Sequence, residues 1–135
     1  MTHTITQYTV IDMTNQHSAL TVAEIPQVGP VEDQPLLNQQ QAEQLMRLFK
    51  VFANDTRLRL LHALVREGEL RVTALAEAVG MKPQAVSNQL QRLVDRSILA
   101  TRRDGNNIFY RVDDPCVQVL LERGMCLIEC CPETS

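Results

Sequence analysis

The stretch VTALAEAVGMKPQAVSNQLQRLVDRS, residues 72–97, carries two amphipathic helical patterns with a tight turn between them. In the first, Leu75, Ala76 and Val79 recur at helical spacing, and Gly80 stands where a helix end calls for a left-handed residue. After Met81 and Lys82, Pro83 occupies a first helical position, where its missing N–H costs nothing. The second pattern turns Ala85, Val86, Leu90 and Leu93 inward and Gln84, Ser87, Asn88 and Gln91 outward. Helix, tight turn, helix with a polar outer face is the plan of a helix-turn-helix.

Working outward, ILATRR and IFYRV flank DGNN, a hairpin signal with Asp104-Gly105 expected at the bend. Arg102 and Arg103 lead into it. Upstream, NQQQAEQLMRLFKVFA spaces Ala42, Leu45, Phe49 and Phe52 helically and predicts a helix over about 38–53. Asn54-Asp55 offers a cap to a further helix, with Leu58, Leu61 and Val65 as its expected inner stripe and His62 half-buried beside it. The expected architecture is a mainly α winged helix-turn-helix domain over 38–131, preceded by a flexible acidic arm, 1–37, and followed by a short tail, 132–135.

At 135 residues and 44% hydrophobic, with no Trp, the chain can bury one aliphatic core. No apolar run approaches the roughly 20 residues of a membrane span, and MTHTITQYTV lacks the pattern of a secretory signal. A cytoplasmic protein with reduced thiols is expected, which disfavours a disulfide framework. The net charge of −3 is unevenly distributed. Residues 1–37 hold four acids and no Lys or Arg, and their two histidines, His3 and His17, are read as solvated. Residues 38–111 hold 12 basic against seven acidic side chains, and residues 112–135 hold Arg123 against five acids. A basic middle suits a nucleic-acid surface confined to it.

Gln and Asn amides can pair bidentately with adenine edges, and Ser87 can reach a base or a phosphate. Lys82, Arg102 and Arg103 would meet the DNA backbone, setting affinity and its salt dependence. A helical domain whose polar face is merely solvated is the competing reading. No Gly-rich phosphate loop, His-Glu metalloprotease pattern or Ser/His/Asp arrangement occurs, so neither an enzyme nor an organic cofactor is expected.

The run from Leu48 to Val112 resembles the ArsR/SmtB family of winged-helix repressors. The resemblance rests on ANDTRLRLL, on LAEAVGM followed after three residues by AVSNQL, and on the wing GNNIFYRV. It implies a homodimer that occupies a palindromic double-stranded DNA operator and leaves it when metal or metalloid binds. It also aligns Gln84, Ser87 and Asn88 with the family's base-reading positions. Where some members carry a Cys-Val-Cys ligand motif, this chain has Arg71 and Thr73, so that site is absent. Others carry Asp-x-His and His-x-x-Glu in the C-terminal helix. Here Asp114-Pro115-Cys116 matches the first half, Cys130 takes the Glu position, and Cys126 precedes the second His position by one.

All four cysteines lie in CVQVLLERGMCLIECC, residues 116–131. On a helix Cys126 and Cys130 stand on adjacent turns about 40° apart, whereas Cys116 lies about 15 Å up the axis. Antiparallel pairing with a second copy would bring Cys116 of one subunit towards Cys126 and Cys130 of the other, with Asp114 or Cys131 as an optional fourth ligand. Such thiolates suit As(III), Cd, Pb, Zn or Cu(I). Small buried hydrophobes in a dimer helix are the bland reading of the same cysteines, and a thiol-redox or persulfide switch is the alternative way to control the same fold.

Overall fold

The computed structural model describes residues 28–130. His3, His17, Cys131 and the strand-like TITQYTVI therefore lie outside the described residues, as does the tail. The chain divides into two units, Met1–Arg47 and Leu48–Ser135, with the division inside the first helix, α1 (Gln39–Phe52).

In the first unit, a 3-10 turn at Val31–Asp33 precedes α1. The Gln34 side chain donates to the carbonyls of Val28 and Gly29 at 2.8 and 2.9 Å. The helix start is closed reciprocally: the Gln41 N–H donates to Asn38 Oδ1 at 2.8 Å, and the Asn38 N–H donates to Gln41 Oε1 at 3.0 Å. This is a capping box, which satisfies donors the helix leaves orphaned.

The second unit contains α2 (Asp55–Glu67), β1 (Leu70–Arg71), α3 (Val72–Val79), α4 (Pro83–Asp95), β2 (Leu99–Asp104), β3 (Asn107–Val112) and α5 (Pro115–Cys130). Its core is aliphatic. Leu60, Leu61 and Leu64 of α2, Leu75 of α3, and Val86, Leu90 and Leu93 of α4 are all fully buried. Each such side chain contributes about 1.5–3 kcal/mol relative to exposure. Ala85, expected inward, is half-buried.

Helix α2 departs from the expected stripe. Leu60, Leu61 and Leu64 face the core, whereas Leu58 is exposed and Val65 half-buried. Six apolar residues in eight positions leave the helical phase open, and packing against α3, α4 and β3 chooses it. His62 then falls on the outer side and is exposed rather than half-buried.

The three strands form an antiparallel sheet ordered β1-β3-β2. In the wing, Asp104 is paired with Asn107, so Gly105 and Asn106 make the turn instead of Asp104-Gly105. Gly105 has φ +66°, which fits Gly at the first central position of a two-residue hairpin. Strand β1, two residues pairing Leu70 with Tyr110 and Arg71 with Phe109, was not expected. Two residues are too few to show an alternation.

Candidate nucleic-acid interface and thiol site

The turn between α3 and α4 is closed by backbone bonds. Gly80 is left-handed at φ +68°, its N–H donates to the Glu77 carbonyl at 3.4 Å, and the Met81 N–H reaches the Ala76 carbonyl at 3.0 Å. That pair is a Schellman closure. The Arg59 guanidinium donates to the Val79 carbonyl at 3.2 Å, satisfying another orphan acceptor. Pro83 opens α4 as expected, and the Val86 N–H bonds back to the Lys82 carbonyl at 3.1 Å.

On α4, Gln84, Asn88 and Gln91 are exposed and Ser87 is half-buried. Gln84 Nε2 donates to Asn88 Oδ1 at 3.3 Å, and Gln91 Nε2 donates to Asp95 Oδ1 at 2.9 Å. These are i, i+4 bonds along one face. They align a row of amides whose donor and acceptor groups suit base edges. Lys82 is exposed at the same end of the helix.

The two wing arginines differ. Arg102 is tied to the body: Nη2 donates to Glu69 Oε1 at 2.8 Å, Nε lies 3.1 and 3.2 Å from the two carboxylate oxygens, and the guanidinium sits 4.6 Å from the Phe109 ring centroid. Its hydrogen bond to Glu69 raises its pKa further above the ordinary arginine value. Arg103 projects from the opposite face of the strand and is exposed. Arg71 adds a link that the sequence did not suggest, its Nη1 donating to Asn107 Oδ1 at 3.1 Å beside the wing turn.

Among the described residues, helix α5 is anchored through its first half. The Asp113 N–H donates to the Ile98 carbonyl at 3.0 Å, and Val117 is buried. Leu120 and Leu121 pack partly against the core. From Glu122 to Cys130 every residue is exposed, with Leu127 and Ile128 at 68% and 67%.

The thiols follow this division. The Asp114 carboxylate accepts from the Cys116 N–H at 2.9 Å, capping the helix start. Although Cys116 as a residue is exposed, crowding around its sulfur pushes the thiol above its ordinary pKa. The charge of Asp114 and a hydrogen bond to it act in the same direction. Cys126 and Cys130 are exposed and reduced, and their Sγ atoms lie 3.8 Å apart. Two thiolates on one tetrahedral ion, with metal–sulfur bonds of about 2.3 Å, would stand about 3.8 Å apart, so this pair has the spacing of a chelate. Among the described residues no three potential ligands come together, and Cys116 is not part of the pair.

Comparison with known proteins agrees with this architecture. A family model described as the MarR family matches residues 54–107, from the cap of α2 through the helix-turn-helix to the wing turn. The transcriptional repressor SmtB homolog of Synechocystis sp. is 36% identical over 98 residues, covering 63% of this chain and 74% of that protein. The crystal structure of the AntR antimony-specific transcriptional repressor is 59% identical, with a TM-score of 0.69, covering 81% of this chain and 99% of that one. A homodimeric winged helix-turn-helix DNA-binding domain from Mycobacterium bovis, a possible ArsR-family regulator, is 29% identical with a TM-score of 0.60, covering 71% and 91%. These relatives are transcriptional regulators, and the chain belongs to the ArsR/SmtB family of winged helix-turn-helix transcriptional repressors.

Proposed function

We propose that the protein is a homodimeric repressor that holds a palindromic operator and releases it when a thiophilic ion binds the thiols of α5. Base reading is assigned to Gln84, Ser87, Asn88 and Gln91. Phosphate contacts are assigned to Lys82 and Arg103, with Arg102 as a wing residue that reaches DNA only if it leaves Glu69. The observation that carries the ion-sensing half is the Cys126–Cys130 pair, 3.8 Å apart on an exposed helix end and lacking a third described ligand beside it.

The apolar residues left exposed on α5 support a second copy as the source of that ligand. Paired antiparallel, the partner helix supplies Cys116, and each dimer then holds two sites. Asp114 or Cys131 completes a fourth position where the ion requires one. Three thiolates suit a trivalent metalloid, and the antimony-specific repressor similar to this chain favours As(III) and Sb(III) over Cd, Pb or Zn. Binding releases the thiol protons, so it weakens as pH falls.

The test is an absorbance titration of the reduced protein with antimonyl tartrate, arsenite, Cd(II), Pb(II) and Zn(II), followed by gel shifts on a duplex selected by the protein from a random-sequence pool. Two ions per dimer and loss of the shifted band are expected. Release by oxidant or polysulfide alone would replace ion sensing with the thiol-redox reading.

A further inference from the structure

Within the second unit one polar side chain links α2 and α4 to the last turn of α1. Arg57, in the first turn of α2, donates from Nε to Gln89 Oε1 on α4 at 2.8 Å and from Nη1 to the Val51 carbonyl on α1 at 2.9 Å. Its own N–H donates to the Asn54 cap at 2.9 Å. Val51 lies in the last turn of α1, where the helix provides its carbonyl with no i+4 donor of its own. Gln89 is half-buried and lies between the outward Asn88 and the buried Leu90.

The remaining inward residues of α4 are Val86, Leu90 and Leu93, all fully buried and apolar. Apolar packing chooses which face of a helix is buried, but it is non-directional and fixes the rotation less finely than a directional bond does. Reading bases demands more, because side chains must be placed within about 0.5 Å and 10–20° of their working geometry. A charge-assisted hydrogen bond from a fixed guanidinium to Gln89 is directional, and planar Arg can hold two acceptors at once.

From this geometry we propose that Arg57 is a positioning residue for DNA reading: through Gln89 it sets the rotation of α4, and through the Val51 carbonyl it keys that rotation to the end of α1. The proposal rests on α4 being the reading helix. It predicts a loss of sequence discrimination without a loss of phosphate contacts.

The experiment measures fluorescence anisotropy with two duplexes of equal length, one selected by the wild-type protein from a random pool and one of scrambled sequence. Arg57→Lys keeps the charge but cannot hold both acceptors, and Gln89→Leu removes one acceptor. Each is expected to lower affinity for the selected duplex about tenfold, the scale of one charge-assisted hydrogen bond. Scrambled-duplex affinity and the salt slope should change less than about twofold, because the phosphate contacts persist. The double variant should be no worse than either single one, since both break the same link.

Additive losses, or equal losses on both duplexes with a lowered Tm, would reduce Arg57 to a structural role and overturn the proposal. Gln84→Ala, measured in parallel, separates the two readings. If it loses discrimination while Arg57→Lys and Gln89→Leu keep it, the positioning role fails alone. If Gln84→Ala also keeps discrimination, α4 is not the reading helix and both readings fall.

Discussion

The reading unit with its wing and the far half of α5 are built on opposite terms. From Asp55 to Val112 the chain supplies its own packing: buried Leu60, Leu61, Leu64, Leu75, Val86, Leu90 and Leu93 hold the helices, and Arg102 is clasped by Glu69 and Phe109. From Glu122 to Cys130 no other described residue covers the helix, yet two thiols there already stand at chelating distance. A surface that meets DNA can be completed by one chain. Under the proposed function the thiol site gains from being left half-built, because filling it would couple the two subunits.

The largest effect expected from breaking this contrast is on induction. Cys126→Ser or Cys130→Ser should abolish ion-driven release in gel shifts while leaving affinity for DNA within about twofold, since neither residue touches the reading unit. A mixed dimer of Cys116→Ser with the Cys126→Ser/Cys130→Ser double variant should regain one site of two in the absorbance titration. A Cys116→Ser homodimer that still binds two ions would show that each chain ligates alone.

Stability offers the next test. Leu90→Ala, at a position with 0% exposure, should cost about 2–5 kcal/mol in chemical unfolding at any protein concentration. Leu127→Ala, at 68% exposure, should act only through dimerisation, making Tm fall more steeply on dilution while leaving the monomer unchanged.

A smaller effect concerns pH. Burial and Asp114 both raise the Cys116 pKa, so this thiol deprotonates late and ion binding is lost as pH falls through that raised value. Asp114→Asn keeps a helix cap but removes the charge, and should shift the midpoint of ion binding towards lower pH by less than about one unit. An unchanged midpoint would mean that Cys116 is not a ligand. The smallest change is expected at the wing. Glu69→Gln loosens Arg102, and if Arg102 then reaches a phosphate the salt slope of DNA binding should steepen by about one.

Much of this was legible in the sequence, for reasons that differ by element. Gly80 and Pro83 punctuate the α3–α4 turn because only certain backbones fit those places, and the structure follows them. The phase of α2 was not legible, since Leu58, Leu60, Leu61, Leu64 and Val65 allow more than one stripe until neighbouring helices choose. Strand β1 is a two-residue tertiary event, formed only because β3 passes beside it. The i, i+4 spacing of Cys126 and Cys130 gave their proximity directly. The Arg57 link could not be read locally, because its partners lie six residues behind and 32 ahead.

The backbone closure at Gly80 and Pro83 has a practical consequence. Because the turn is held by main-chain bonds, a glycine and a proline, the outward residues of α4 take almost no part in holding it together. Under the proposed function, residues 84, 87, 88 and 91 form a cassette whose exchange should rewrite the operator address and leave the ion response of α5 in place. For a biosensor assembled from such parts, what is detected and which promoter answers are separately adjustable.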